Sequence, residues 1–104
     1  MLKPLGPMLV CLTACSACTW VQLSAQGQSV RVARPAEVVE CERLGEATAT
    51  VVDKVGFMKR SREKQVKELE TLARNEAAEM GGDAIVATSD IEDGRRRFAV
   101  YRCN

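Results

Sequence analysis

The stretch SREKQVKELETLARNEAAEMGGDAIVA, from Ser61 to Ala87, decides the fold, because the hydrophobic period changes inside it. At 100° per residue, Val66, Leu69, Ala73, Ala77 and Met80 fall within about 80° of one another, which predicts an amphipathic helix from Ser61 to Met80. Ser61 is a candidate N-cap, and Glu63 suits the positive end of the helix dipole. Gly81-Gly82 predicts the stop, since glycine accepts the left-handed conformation at a helix end. Glu76 stands at the edge of the stripe. It either pairs with an arginine of the sheet or reaches out to solvent, and solvent is the expected outcome. Beyond the glycines the pattern turns to Asp83-Ala84-Ile85-Val86-Ala87-Thr88, which reads as a strand.

Working outward, Arg97 to Cys103 reads as a second strand after this helix, with Asp93-Gly94 as the hairpin signal between them. Before the helix, Ser29 to Arg34 alternates Val30 and Val32 against Arg31, a strand that Pro35 should end. Glu46 to Val52 is rich in β-branched residues and predicts another strand, with Gly45 marking a bend or bulge at its start. Asp53 to Lys59 reads as a loop. The expected fold class is therefore α+β: a small, mostly antiparallel sheet in β-β-α-β-β order, with one amphipathic helix packed on it.

The chain has 104 residues, 15 Lys+Arg against 14 Asp+Glu, 4% aromatics and no histidine. The near-neutral balance argues against nucleic acid as a partner, since such proteins carry a basic surplus. The absence of histidine removes the commonest general base and a principal metal ligand. No Ser-Lys or Cys-His pairing and no recognisable carboxylate pair replaces it, so neither catalysis nor a bound metal is expected. Lys59, Arg60 and Arg62, and then Arg95, Arg96 and Arg97, form two basic clusters. They are the candidate contact patches, for acidic lipid headgroups, lipopolysaccharide phosphates or an acidic protein face. Solvated loop charge is the default reading of both.

The N-terminus has a different character. Met1-Leu2-Lys3 supplies a minimal basic region, and Pro4 to Ala14 carries no charge. An apolar run that short cannot cross about 30 Å of hydrocarbon as a helix, but it fits a secretory signal peptide. Cys15-x-x-Cys18 lacks the second CxxC or the histidines of a zinc site and the strand-helix context of a redox motif. Leu12-Thr13-Ala14-Cys15 resembles the bacterial lipobox, whose cysteine becomes the acylated first residue of the mature protein. Leu12 favours Cys15 as that residue. Cysteine parity favours Cys18, which leaves Cys41 and Cys103 as a pair. Neither Ser16 nor Thr19 is the aspartate that would retain a lipoprotein in the inner membrane, so the outer membrane is the expected location.

The resulting domain plan is a signal peptide over residues 1–17 (1–14 if Cys15 is acylated), a short tether over 18–28 and a periplasmic domain over 29–104. So small a core commonly needs a staple. A Cys41–Cys103 disulfide would add about 4 kcal/mol on the loop-entropy model. Two free thiols or pairing through Cys18 are the alternatives.

Cys18-Thr19-Trp20-Val21, Cys41-Glu42-Arg43-Leu44-Gly45, Leu72-Ala73-Arg74-Asn75-Glu76-Ala77-Ala78, Gly81-Gly82-Asp83 and Tyr101-Arg102-Cys103 together resemble a bacterial lipoprotein family, domain of unknown function 4156. That resemblance implies lipid on Cys18, the cysteine before Thr-Trp. More distantly, Cys41, Leu44-Gly45-Glu46 and the closing Tyr-Arg-Cys are similar to the outer-membrane sensor lipoproteins of the Rcs envelope-stress system, which implies a disulfide-stapled α+β domain. The expected function is a non-enzymatic module for envelope maintenance or protein interaction. It is held at the periplasmic face of the outer membrane by covalent lipid, with an envelope protein as candidate partner and no other cofactor. A stress-sensor role, or redox cycling of Cys41 and Cys103, is the alternative. Oligomeric state is left open by the sequence.

Overall fold

The computed structural model describes residues 22–52, 54–55, 58–59 and 61–104. The signal-peptide and lipidation readings, with Cys15 and Cys18, and Arg60 of the first basic cluster lie outside the described residues. In chain order the elements are β1 (Arg31–Val32), β2 (Glu42–Thr50), β3 (Lys54–Val55), β4 (Met58–Lys59), α1 (Arg62–Glu79), β5 (Ala84–Ala87) and β6 (Arg95–Arg102). Four of the strands form one sheet in the order β1-β5-β6-β2. The β5–β6 and β2–β6 pairs are antiparallel, and β1 joins β5 in parallel. The α+β class and the β-β-α-β-β order hold. One addition corrects the expected loop before the helix: β3 and β4 pair as a separate antiparallel ribbon, Lys54 with Lys59 and Val55 with Met58.

Helix α1 forms as its caps dictate. Ser61 Oγ accepts the Lys64 N–H at 3.2 Å, satisfying one of the free donors of the first turn. At the other end Gly81 takes φ +88°, Gly81 N–H donates to Ala78 O and Gly82 N–H to Ala77 O. This paired closure is a Schellman motif. Leu69, Ala73 and Ala77 are wholly buried, whereas Val66 and Met80 are half-buried, and Gln65 shares the buried face. Glu76 is exposed, so of its two readings solvent is correct.

The helix packs on Ala47, Ala49, Ile85, Phe98 and Val100 of the sheet, with Val30 at the margin. Alanines on both surfaces let helix and sheet approach closely, and Leu69, Ile85 and Phe98 supply the bulk. Burying each such large side chain contributes about 1.5–3 kcal/mol. A smaller cluster covers part of the other face: Ala33, Val38, Ala84 and Val86, flanked by Tyr101 and the two cysteines. Val38 reaches it from a 3-10 turn over Pro35–Val38, where proline stands at the first helical position.

Strand boundaries moved at several places. The expected strand over 29–34 shrinks to two residues because Gly27–Ser29 folds as a 3-10 turn. Val30 is then buried while Val32 stays 44% exposed at the sheet margin, so the two valines do not share an environment. β2 starts earlier than expected, since the chain pairs with β6 from Glu42 onward. Its register steps from Arg43–Tyr101 to Gly45–Val100, leaving Leu44 as the extra residue of a β-bulge, with Gly45 at φ +153°. At the β5–β6 turn, Glu92 and Arg95 exchange backbone hydrogen bonds around Asp93 (φ 54°) and Gly94 (φ 72°). Two positive φ values in a two-residue loop define a type I′ turn, the one that matches strand twist.

Candidate functional site

Three constellations carry polar chemistry. The first joins the helix to the beginning of the described chain. Asn75 Oδ1 accepts the Ser24 N–H at 2.8 Å, and Asn75 Nδ2 donates to Gln22 O at 2.8 Å. Its neighbour on the helix extends the grip: Arg74 Nε donates to Val30 O at 2.7 Å and its Nη2 to Gln28 O at 3.4 Å. Ser24 Oγ then accepts the Gly27 N–H at 2.9 Å, tightening the loop. Gly27 is buried, and a Cβ there would collide with Asn75 Oδ1, besides meeting Leu23 Cδ1 and Ser24 Oγ at 3.0 Å. The stretch expected to be a tether is therefore bound to α1 from Gln22 onward, and the folded unit begins before the expected residue 29. An amide side chain that both donates and accepts suits this grip on main-chain groups.

The second constellation surrounds the cysteines. Cys41 and Cys103 are joined by a disulfide with Cα atoms 4.4 Å apart. They stand just outside the Glu42–Arg102 pair, so the bond clips the end of the β2–β6 ladder. Glu42 and Arg102 add an ion pair at 2.6 Å, more than 40% exposed on each side chain. Asp83 holds the C-terminal end: its Oδ1 accepts the Cys103 N–H at 2.7 Å and its Oδ2 the Asn104 N–H at 3.0 Å. Arg31 Nη2 donates to Cys103 Sγ at 3.6 Å. Nearby, Glu37 Oε1 accepts the Arg34 N–H at 2.8 Å. That backbone hydrogen bond, helped by the charges of Arg34 and Arg31, holds the Glu37 carboxyl below its ordinary range.

The third is the basic run of β6, which alternation divides. Arg95 and Arg97 pair with Thr50 and Thr48 on the face away from α1 and are exposed. Arg96 points to the helix side. It donates from Nε to Ser89 O at 2.7 Å, and its guanidinium lies 6.0 Å from the centroid of Phe98. The adjoining cleft of about 200 Å³ is lined by Ser89, Asp90, Glu92 and Asp93 along with these arginines. Three carboxylates and three guanidiniums line it, so the cleft has no uniform sign. Of the other cluster, Arg62 opens α1 and is exposed, while only the backbone of Lys59, in β4, is described.

Sequence reasoning singled out the cysteines and the arginine run. It missed Arg74, Asn75 and Asp83 as structural clamps. The only signal for the first two is a polar pair, Arg74-Asn75, beside the apolar stripe of the helix. Among the described residues no group of three or more Cys, Asp and Glu side chains is placed to hold a metal ion, and no helix is long and apolar enough to cross a membrane.

A family model for a domain of unknown function, DUF4156, matches residues 21–103, and the chain belongs to that family. No curated protein and no solved structure matches it.

Proposed function

We propose that this member of the family is a lipid-anchored periplasmic module of the outer membrane, acylated on Cys18, that works by contact rather than by catalysis. The observation that carries the reading is the placement of the folded unit. Its first clamped residue, Gln22, follows Cys18-Thr19-Trp20-Val21 directly, and its sheet is closed by a Cys41–Cys103 disulfide. Disulfides of this kind persist outside the reducing cytosol, which suits export. The three residues between the acylated cysteine and Gln22, four Cα–Cα steps, would span at most about 14 Å, so the domain would ride close to the bilayer. Two or three acyl chains would make that attachment stable, where one chain gives only marginal binding.

Intact-mass analysis of the purified mature protein tests this. The expected product begins at Cys18, carries the mass of the acyl groups and is two hydrogens lighter for the disulfide. Cys18→Ser should abolish both the lipid mass and recovery in the outer-membrane fraction, and Cys15→Ser should leave both intact. A lipidated product that starts at Cys15, or an unlipidated one, would defeat the assignment.

One observation favours a second reading, redox activity of the cysteine pair. The Arg31 guanidinium at Cys103 Sγ would stabilise a thiolate there once the bond opened. The reduction potential separates the two: a structural bond lies below about −300 mV, and a cycling one lies higher.

A further inference from the structure

The sheet ends on one side at β1, a strand of two residues, and on the other at the long strand β2, which has no further neighbour among the described residues. The main-chain bonding pattern says which groups point outward. Val51 N–H donates to Gly94 O on the β6 side. On the far side of β6, Arg97 O accepts from Thr88 and Tyr101 O from Asp83. Alternation along an antiparallel ladder then assigns Ala47, Ala49 and Val51 to bonding with β6. The N–H and C=O groups of Glu46, Thr48 and Thr50 point to the open margin, and all three residues are exposed. From Ala47 to Thr50 this margin carries none of the usual protections of an edge strand among the described residues: no charge, no proline and no bulge.

We propose that this margin pairs with the same margin of a second copy of the chain, antiparallel, about a two-fold axis through Thr48. The occupant follows from self-complementarity. Centring on Thr48 sets Thr48 against Thr48, Ala47 against Ala49 and Glu46 against Thr50, so the outward main-chain groups of all three exposed residues find partners. Val52 of each copy then comes level with half-buried Leu44 of the other. Glu46 comes within reach, across Thr50, of Arg95 on the neighbouring β6, since Thr50 and Arg95 are paired. Its existing ion pair to Arg43 is loose, at 3.9 Å between two half-exposed side chains. The two Arg97 residues stay three strand spacings apart, about 14 Å, beyond the screening length at ordinary salt.

Three neighbouring registers fail on chemistry. Centring on Glu46 opposes two carboxylates. Centring on Ala47 runs Thr50 into the bulge at Leu44, and centring on Ala49 sets Glu46 against apolar Val52. An axis through Thr48 normal to the sheet also leaves both helices on one face. The segments bound to Asn75 of each helix therefore leave on that same face. Two copies so paired could both be tethered to one bilayer, although the pairing itself does not depend on the lipid reading.

The test uses the full-length protein, matured in cells and purified in detergent. Sedimentation equilibrium should give a protein mass of two chains that dissociates on dilution. Thr48→Asp places two carboxylates on the axis, and Thr48→Lys two ammoniums, so each alone should be monomeric. Mixed together they should recover the dimer, with aspartate facing lysine. Within one chain a carboxylate at position 48 would stand beside Arg97, and retention of the Cys41–Cys103 disulfide and an unchanged circular dichroism spectrum confirm folding of both variants. Thr48→Cys should cross-link copies in membranes through a peptide joined at position 48, while Gln28→Cys should not. A wild-type protein monomeric at every concentration, a dimer indifferent to Thr48→Asp, or a Thr48→Cys cross-link to a different protein would each overturn the proposal.

Discussion

Asn75 holds Ser24 across 51 residues of chain, its Oδ1 taking the Ser24 N–H while its Nδ2 binds Gln22 O. Replacing Asn75 by alanine strands a partly buried amide and frees a segment that packs on α1. A loss of about 1–3 kcal/mol is expected. Amide exchange at Ser24 should accelerate most, and limited proteolysis should cut between residues 22 and 30 before it cuts the sheet. Unchanged exchange there would mean that the segment is held by other contacts.

The disulfide should carry a large share of stability. Its cysteines are separated by 62 residues, for which the loop-entropy model gives about 4 kcal/mol. In a domain of this size, Cys41→Ser with Cys103→Ser should lower the melting temperature by roughly 15–30 °C. Calorimetry of the double variant beside the reduced wild type checks it, and a fall of only a few degrees would show the clip to be dispensable.

The three arginines of β6 should respond differently to alanine. Arg96 loses its bond to Ser89 O and its place over Phe98, at a cost of about 1–2 kcal/mol. Arg95 and Arg97 stand in solvent, and each change should stay within about 0.5 kcal/mol. Urea unfolding of the three variants gives the comparison. If Arg95 and Arg97 matter to the cell, a charge reversal of both should fold normally and still impair envelope integrity.

Acid should weaken one turn selectively. Glu37 has its carboxyl held below the ordinary 4.5 by the Arg34 N–H and by the arginine charges around it. Because the folded value is the lower one, its contribution is present in full above pH 4.5 and is lost as pH falls through the folded midpoint. An NMR titration should place that midpoint under 4.5, and Glu37→Gln should remove this part of the acid dependence. A midpoint at or above 4.5 would refute the capping role.

Much of the architecture was legible because α1 and the β5–β6 hairpin announce themselves locally. Ser61, Gly81-Gly82 and Asp93-Gly94 act through their own backbone preferences, which any neighbour must accommodate. The start of the chain was not legible in this way. The turn at Gly27–Ser29 is gripped from far along the sequence, by Asn75 at Gln22 and Ser24 just before it and by Arg74 at Gln28 and Val30, and no local pattern encodes that grip. The ribbon of β3 and β4 was hidden for a related reason: four paired residues are too few to impose a period on the sequence. At the candidate sites, composition pointed to Arg95, Arg96 and Arg97 but not to their opposed directions, which follow only from the register of β6 against β2.

Strand β1 has a consequence for how the molecule comes together in time. Arg31 and Val32 lie beside Ala84 and Ile85, so a strand from the first third of the chain completes a sheet made mostly from the last third. During synthesis residues 22–33 emerge well before anything they bind, whereas α1 and the β5–β6 hairpin can assemble from near neighbours. Contacts between distant parts of a chain close slowly, because the intervening loop must first lose its entropy. The end of the domain that is made first therefore cannot be held in place until α1 and β5 have been made.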